Sequence, residues 1–570
     1  MSPHYARLMS DTSAATADAK NEARGTARAL GLVSIAILCS RVLGLVREVV
    51  LSMLFAGANL RWLDCFNMAF KAPNMLRDLF AEGALSTAFI TVFTKKTQAE
   101  GEAAAWKLAR KMMTLASFFM TLISALGVLL APWIIWVLAS GWRNPSNPEN
   151  ALSAEALTEK IEFTILLARI MYPFILLVSL AALVMGMLNA RKVFFMPAMS
   201  STFFNVGSML VGGLVGWWLD PAFGKTAVIG FAIGTLVGGV LQLAVQLPSL
   251  KKVGFTFGFD FDWKDSGVRH TLSLMWPAVI SGSVVQVSVM MNAIFASHVA
   301  GDGPVTWLYS AFRLMQLPLG LFGVGLATVS LPTLARMAAN GIGDDFRQTL
   351  SKALRMGALL SVPSAVGLGM LAYPIMSLVY GNGSAKENPL HVPGCAVALQ
   401  TYSLGLFFYS GLKVLQPAFY AIDKRFVPMI VSVITVLITG VLNYILVIQM
   451  HLDHRYLALT TSIGAALNFI CLFIAMRRHT GRLGGRALMD SGIKIIVASL
   501  CMAAVCWTCQ LTILSDWEAH NVIVRAVLLG LVMSIAAGVY FAVSLLLKNE
   551  EMDDFKKSFV RKLAGAKKSA

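Results

Sequence analysis

Apolar runs long enough to span a bilayer recur along the chain. They lie at roughly 28–56, 63–94, 112–140, 161–189, 194–219, 226–248, 270–299, 305–337, 353–380, 395–421, 427–450, 456–476, 491–514 and 522–547. A helix needs about 20 apolar residues to cross the hydrocarbon core. The pattern therefore predicts an all-α polytopic membrane protein of about 14 transmembrane helices. Residues 1–27 are polar and alanine-rich, with no apolar core and no cleavage site. They read as a disordered cytoplasmic tail rather than a signal peptide.

Composition agrees with this reading. The 570 residues are 57% hydrophobic and 14% charged, where soluble domains carry about 25% charged residues. The net charge of +17 would fit a nucleic-acid partner, but its placement argues against one. Lys and Arg crowd the N-tail, 95–111, 191–192, 251–269, 336–355, 424–425, 477–494 and the C-tail. The alternate connections hold only Arg61, Arg143, Lys160, Lys225, Lys386 and Arg455. Such asymmetry marks the cytoplasmic side and contact with anionic lipid heads, so both termini are expected there. The seven cysteines lie almost all in apolar runs, where a thiol behaves as a small hydrophobe. Cys506 and Cys509 have redox-motif spacing but no βαβ context.

Against this apolar background, two spans stand out for charge. The first carries Ser40, Arg41, Gly44, Arg47 and Glu48, and the second carries Asp64, Lys71, Pro73, Asn74, Arg77, Asp78 and Glu82. Each Lys or Arg at a bilayer centre costs roughly 2.5–3.5 kcal/mol, so Arg41, Arg47, Lys71 and Arg77 facing lipid would cost about 10–14 kcal/mol together. They are expected to face protein or a water-filled cavity, and a cationic cavity calls for an anionic passenger. Ser40, Gly44 and Arg47 share one helical face, as do Lys71, Asn74, Asp78 and Glu82. The acids nearly balance the bases, so part of this charge is expected to pair helices.

The chain also repeats itself. Ala69-Phe70-Lys71 recurs as Ala311-Phe312-Arg313, and Leu79-Phe80-x-x-Gly83 recurs at the same offset as Leu321-Phe322-x-x-Gly325. Six spans per repeat preserve orientation, giving two six-helix bundles related by a pseudo-two-fold axis along the membrane normal. The expected divisions are a tail at 1–27, bundles at 28–250 and 269–480, two added helices at 490–547 and a basic cytoplasmic tail at 548–570. In the second repeat Arg313 and Gln316 precede a glycine-rich, bendable stretch, and no acid lies within a turn or two of Arg313. Arginine suits phosphate because its planar fork donates two parallel hydrogen bonds. No P-loop, H-E-x-x-H or nucleophile elbow occurs. A transporter is expected rather than an enzyme, with no cofactor and no metal. His451, Asp453 and His454 resemble a metal cluster only superficially.

At S-R-V-L-G-L-V-R-E (40–48), D-C-F-N-M-A-F-K-A-P-N-M-L-R (64–77), F-A-E-G-A-L-S-T-A-F (80–89), R-L-M-Q-L-P-L-G-L-F-G-V-G-L-A-T (313–328) and L-P-T-L-A-R (331–336) the chain resembles the MurJ/MviN lipid II flippase family. That family sits within the multidrug/oligosaccharidyl-lipid/polysaccharide exporter superfamily. The resemblance implies a V-shaped central cavity and a polyprenyl-tail groove built by the last two helices. It also implies the passenger: undecaprenyl-diphosphate-linked disaccharide peptide (lipid II), moved from the cytoplasmic to the periplasmic leaflet of the bacterial inner membrane for cell wall synthesis.

The essential positions it implies are Ser40, Arg41, Arg47, Asp64, Asn74, Arg77, Glu82 and Arg313. The substrate contacts expected are Ser40, Arg41, Arg47, Asn74, Arg77 and Arg313. Charge-pairing or conformational roles fall to Glu48, Asp64, Lys71, Asp78, Glu82 and Gln316. The chain departs from the family at Glu48, where aspartate is common, and at Asp78, where a second base is frequent. Phe312 and Gln316 stand where acids often flank the arginine. Expected partners are lipid II, anionic membrane lipids and cell-wall synthesis proteins, with no nucleic acid, and the protein itself is expected to be a monomer. The alternatives in the same fold are a flippase for another polyprenyl-linked oligosaccharide or a multidrug cation antiporter. The antiporter would want a net acidic cavity.

Overall fold

The computed structural model describes residues 33, 35–79, 85–143, 153–339, 341–554 and 556. The N-tail at 1–27, Glu82 and most of the C-tail lie outside the described residues. Helices account for nearly all the regular structure, and the described residues contain no strand. In chain order the principal helices begin with α1 (35–55), α2 (Leu60–Leu79), α3 (Ser86–Glu100), α4 (Glu102–Leu138), α5 (Ala154–Met171), α6 (Phe174–Ala190), α7 (Phe195–Leu219) and α8 (Ala227–Ala244). After them come α9 (Ser266–His298), α10 (Pro304–Pro318), α11 (Val324–Ala339), α12 (Asp344–Met370), α13 (Ala372–Tyr380) and α14 (His391–Ser403). The series ends with α15 (Leu406–Ala421), α16 (Phe426–Asn443), α17 (His454–Thr480), α18 (Gly485–Leu511) and α19 (Val522–Leu546).

Among the described residues, nine helices are long and apolar enough to cross a membrane, or up to 11 if each of two bent pairs counts as one span. The bends fall at Pro277 to Gly282, by 50°, and between α14 and α15, by 46°. The regions at 35–55 and Leu60–Leu79, and the pair α10–α11, do not pass that test. The first two carry the intramembrane charges, and the third is interrupted by a π turn at Leu319–Gly323. That turn sits in the glycine-rich stretch expected to bend. By contrast α2 continues as one helix through Pro73. Large apolar side chains cover the outside: Trp218, Ile523 and Leu546 are each at least 76% exposed, as a lipid-facing surface requires. This is a multi-pass membrane protein.

Two compact units divide the described chain. The first comprises the described residues up to Leu51, with Ala69–Ile134 and Phe163–Gly282. Its core gathers Phe89, Phe93, Trp106, Leu183, Met187 and Phe255 from α3, α4, α6 and the segment after α8. Within it α7 and α8 meet through glycines spaced four apart, a spacing that lets helix backbones touch. A Cβ on Gly230 would lie 2.2 Å from the Gly216 nitrogen, and one on Gly234 2.6 Å from the Gly212 Cα. The second unit comprises Ser52–Met68, Ile135–Glu162 and Ser283–Ala570. One of its cores packs α12 against α18 and α19 through Leu359, Met502, Cys506, Val532 and Tyr540. Another joins α11, α12, α15 and α17 through Leu334, Leu350, Leu415 and Leu472. Two unit boundaries fall inside helices, at Leu51–Ser52 in α1 and Met68–Ala69 in α2.

Candidate functional site

Within the first unit, the charges of α1 and α2 form neighbouring pairs. Arg47 lies 3.9 Å from Glu48, the two side chains only 13% and 6% exposed. The Arg47 guanidinium also lies 5.3 Å from the centroid of the Phe204 ring, an arrangement that stabilises a cation through the ring quadrupole. Lys71 feels the Glu48 charge, so α1 and α2 are coupled electrostatically at that level. One turn further, Arg77 donates from Nε and Nη2 to one oxygen of Asp78, at 3.2 and 2.8 Å. Asn74 reaches the other Asp78 oxygen at 3.5 Å. Ser40 receives a hydrogen bond at its carbonyl from Asn205, at 3.2 Å, and Arg41 is exposed. The face predicted for Lys71, Asn74 and Asp78 is present, with Arg77 folded onto it.

The second unit holds the other half of the predicted set. Arg313 is half-buried on α10 and engaged by neighbours, while Gln316 is exposed. Phe312 packs edge-on against Tyr402, centroids 5.4 Å apart.

Asp64 has the most completely determined surroundings of all the predicted residues, and it is wholly buried. Its carboxylate accepts from the Gly303 amide at 2.7 Å, the Thr306 amide at 2.9 Å and the Thr306 hydroxyl at 2.6 Å. These are the orphan donors of the first turn of α10, which begins Gly303-Pro304 and has no side-chain cap of its own. A carboxylate at a helix N-terminus satisfies those donors and complements the helix dipole. Here α2 supplies the cap that α10 lacks. Gly303 adopts φ +119 to make the turn, and a Cβ there would lie 2.4 Å from the Trp307 ring.

Charge closes round this cap. Lys160, wholly buried, sits 3.8 Å from Asp64 and 2.8 Å from Asp302, with its ammonium 4.3 Å from the Trp142 ring centroid. Arg61 donates to the other Asp302 oxygen at 2.9 Å. Asp302 lies in the turn between α9 and α10. Burial alone would raise its pKa, but Lys160 and Arg61 together outweigh burial and hold it below its ordinary value. Sequence reasoning placed Asp64 among the pairing residues and missed Lys160 and Asp302, which it counted as connection residues or not at all. One signal was available. Thr306 stands 242 positions after Asp64, the same offset that relates Lys71 to Arg313, so repeat mates touch here.

Other candidates resolve into structural roles. Asp453 caps α17 by accepting from the Arg455 amide, and His454 donates to the Gly394 carbonyl at 2.8 Å. Among the described residues no group of three or more His, Cys, Asp or Glu could hold a metal. Cys506 and Cys509 are both free. An arginine near the outer end of a span ordinarily snorkels to the interface, and Arg525 does not. Arg525 is only 8% exposed and turns inward to donate to the Glu518 carbonyl at 2.7 Å. An apolar cavity of about 300 Å³ lies between α12, α18 and α19, lined by Leu359, Pro363, Gly367, Met502, Met533 and Phe541.

Comparison with known proteins gives a consistent result. Residues 52–528 match the family described as lipid II flippase MurJ. The "Lipid II flippase MurJ" of Burkholderia cenocepacia is 31% identical over 90% of this chain and 96% of its own. The "Probable lipid II flippase MurJ" of Vibrio cholerae is 33% identical over 90% of this chain and 95% of its own. Among solved structures, a "Lipid II flippase MurJ, inward closed conformation" superposes with TM-score 0.71 at 24% identity, covering 92% of this chain and 99% of that one. An inward-facing multidrug resistance MATE family transporter gives TM-score 0.64 at 15% identity, covering 80% of this chain and 98% of that one. At these identities the structures speak to the fold alone, which this chain shares with both.

Proposed function

The chain belongs to the lipid II flippase MurJ family, and on that premise we propose that it carries lipid II from the cytoplasmic to the periplasmic leaflet of the inner membrane by alternating access. The observation that carries this reading is the cluster of cations inside the membrane-spanning part of α1 and α2. Arg47, Lys71 and Arg77 are partly shielded by acids adjacent in sequence or one helix away. Pairs of this kind can be exchanged for a diphosphate, because an arginine fork donates to phosphate as readily as to carboxylate. In this reading Arg41, Arg47 and Arg77, with Asn74 and Ser40, take the head group from the first repeat. Arg313, the repeat mate of Lys71, acts from the second. The chain's own chemistry is binding and movement, with no bond made or broken. The apolar cavity of α12, α18 and α19 suits a polyprenyl tail.

The Asp64 cap supports the alternating part of the proposal. By the charge asymmetry of the connections, Arg61 and Lys160 belong to the periplasmic side, so the cap lies at that end. Inverting a 1:99 equilibrium between states needs about 5.5 kcal/mol of differential affinity. Two or three charge-assisted contacts made in one state only are of that order. Depleting the protein in cells and assaying which leaflet exposes lipid-linked precursor tests the proposal. The expected result is accumulation on the cytoplasmic face. Unchanged periplasmic exposure would refute it.

A further inference from the structure

A second cationic site lies on the second unit, far along the chain from α1 and α2. A cavity of about 510 Å³ opens between the first turns of α12 and the α17–α18 connection. Arg347, Lys352, Arg355 and Arg482 line it, against one lining carboxylate, Asp344. A neighbouring depression of about 320 Å³ shares Arg482 and adds Arg477 and Arg478. Gly484 and Ala487 also line the larger cavity. They bracket the first turn of α18, which starts from a left-handed Gly484 with no side-chain cap. Amides of an uncapped first turn add a partial positive charge to the four side chains.

The donors here are only partly used. Arg347 bonds Asp344 through one Nη at 2.8 Å, and its Nε is buried without a partner. The Nε of Arg355 is in the same condition. Arg482 makes no ion pair or hydrogen bond among the described residues. Part of the remaining charge is met by a strap just after α19. Glu551, 2% exposed, bonds Arg355 at 2.7 Å and accepts from Ser491 at 2.8 Å. Asp554 pairs with Lys352. The strap thus holds one wall of the cavity with carboxylates.

The cavity also has an apolar continuation. Gln348, Lys352, Arg355, Leu359, Pro363 and Gly367 recur every three or four residues on one face of α12. The first three of these line or border the cationic cavity, and the last three line the 300 Å³ apolar cavity. Arg355 and Leu359 are separated by about 6 Å of helix. A cationic pocket that passes within one turn into an apolar groove matches an amphiphile with a phosphate at its head.

We propose that this cavity binds a phosphate group, with the Glu551–Asp554 strap as its internal competitor. The geometry favours a phosphate carried on a membrane lipid, whose chain would follow the α12 face into the groove. The inference does not depend on the flippase reading. It is tested on the full-length detergent-purified protein by native mass spectrometry, titrating phosphatidylglycerol, phosphatidylcholine and inorganic phosphate separately. Wild type should bind one phosphatidylglycerol at least tenfold more tightly than the Arg347→Gln/Arg482→Gln variant, with no such difference for phosphatidylcholine. Both positions are solvent-accessible, and an unchanged melting temperature confirms folding. A tenfold difference seen with inorganic phosphate and not with phosphatidylglycerol would keep the phosphate site and overturn the lipid source. No difference with either would overturn the site. Asp554→Asn should tighten binding severalfold by releasing Lys352, and unchanged affinity would remove the strap's competing role.

Discussion

Two clusters of charge sit on one helix, α2, and they are built differently. At its beginning, Asp64 is fully buried, accepts three hydrogen bonds from the start of α10 and neighbours a buried lysine. Between three and four turns later, Arg77 and Asp78 are 23% and 28% exposed and pair as sequence neighbours. The first cluster ties together segments more than 200 residues apart. The second pairs two residues adjacent in the sequence. A saturated, dry cluster stabilises an arrangement of helices. A partly exposed pair of adjacent side chains contributes little to stability and can be exchanged for a ligand's phosphate.

The sharpest way to break this contrast is to remove the cap. Asp64→Ala removes the acceptor of three hydrogen bonds and leaves Lys160 buried beside a single acid, and breaking a buried pair costs about 3–5 kcal/mol. A melting experiment should show the largest loss here, with Asp64→Asn intermediate because its amide oxygen still accepts. Next comes Gly303→Ala, which forces a side chain into a positive-φ position for about 1–3 kcal/mol, before the clash with Trp307 is counted. Thr306→Val removes one donor and should cost about 1 kcal/mol. By comparison Arg77→Ala should change stability by only about 0–1 kcal/mol, while abolishing growth in a complementation assay.

Acid provides an independent probe of the cap. Asp302 is held below its ordinary value of 3.8, so its contribution is present above that value and is lost as pH falls through the lower, folded-state value. Melting temperatures of wild type and Asp302→Asn should therefore differ at neutral pH and converge once the pH is well under 3.8. A difference that persists there would mean the carboxylate charge is not what Lys160 and Arg61 recognise.

How much of this was readable in advance follows from where the information lies. Transmembrane helices at 194–219, 427–450 and 522–547 were placed closely, because hydrophobic length is written locally. The all-α class and the two-lobed fold followed from that length and from the internal repeat. Lys71, Asn74 and Asp78 were placed on one face by spacing alone. Lys160 and Asp302 were not legible as partners of Asp64, because each reads as a loop charge until the chain folds. The inward turn of Arg525 was not legible for a similar reason. Near a helix end an arginine usually snorkels, and here the Glu518 carbonyl, the Ser377 hydroxyl and the Trp517 ring hold it inward. The break of 305–337 into α10, a π turn and α11 was foreshadowed by its glycines, although the position of the turn was not.

The central claim is that the cations of α1 and α2 bind the lipid head group while the buried Asp64 cap does not. Lipid II binding to the purified chain by native mass spectrometry, comparing Arg47→Ala/Arg77→Ala with Thr306→Val, tests it most directly. The account predicts at least a tenfold loss of affinity for the arginine variant at an unchanged melting temperature, and near-wild-type affinity for the destabilised Thr306→Val. Full lipid II affinity in the folded arginine variant would contradict it.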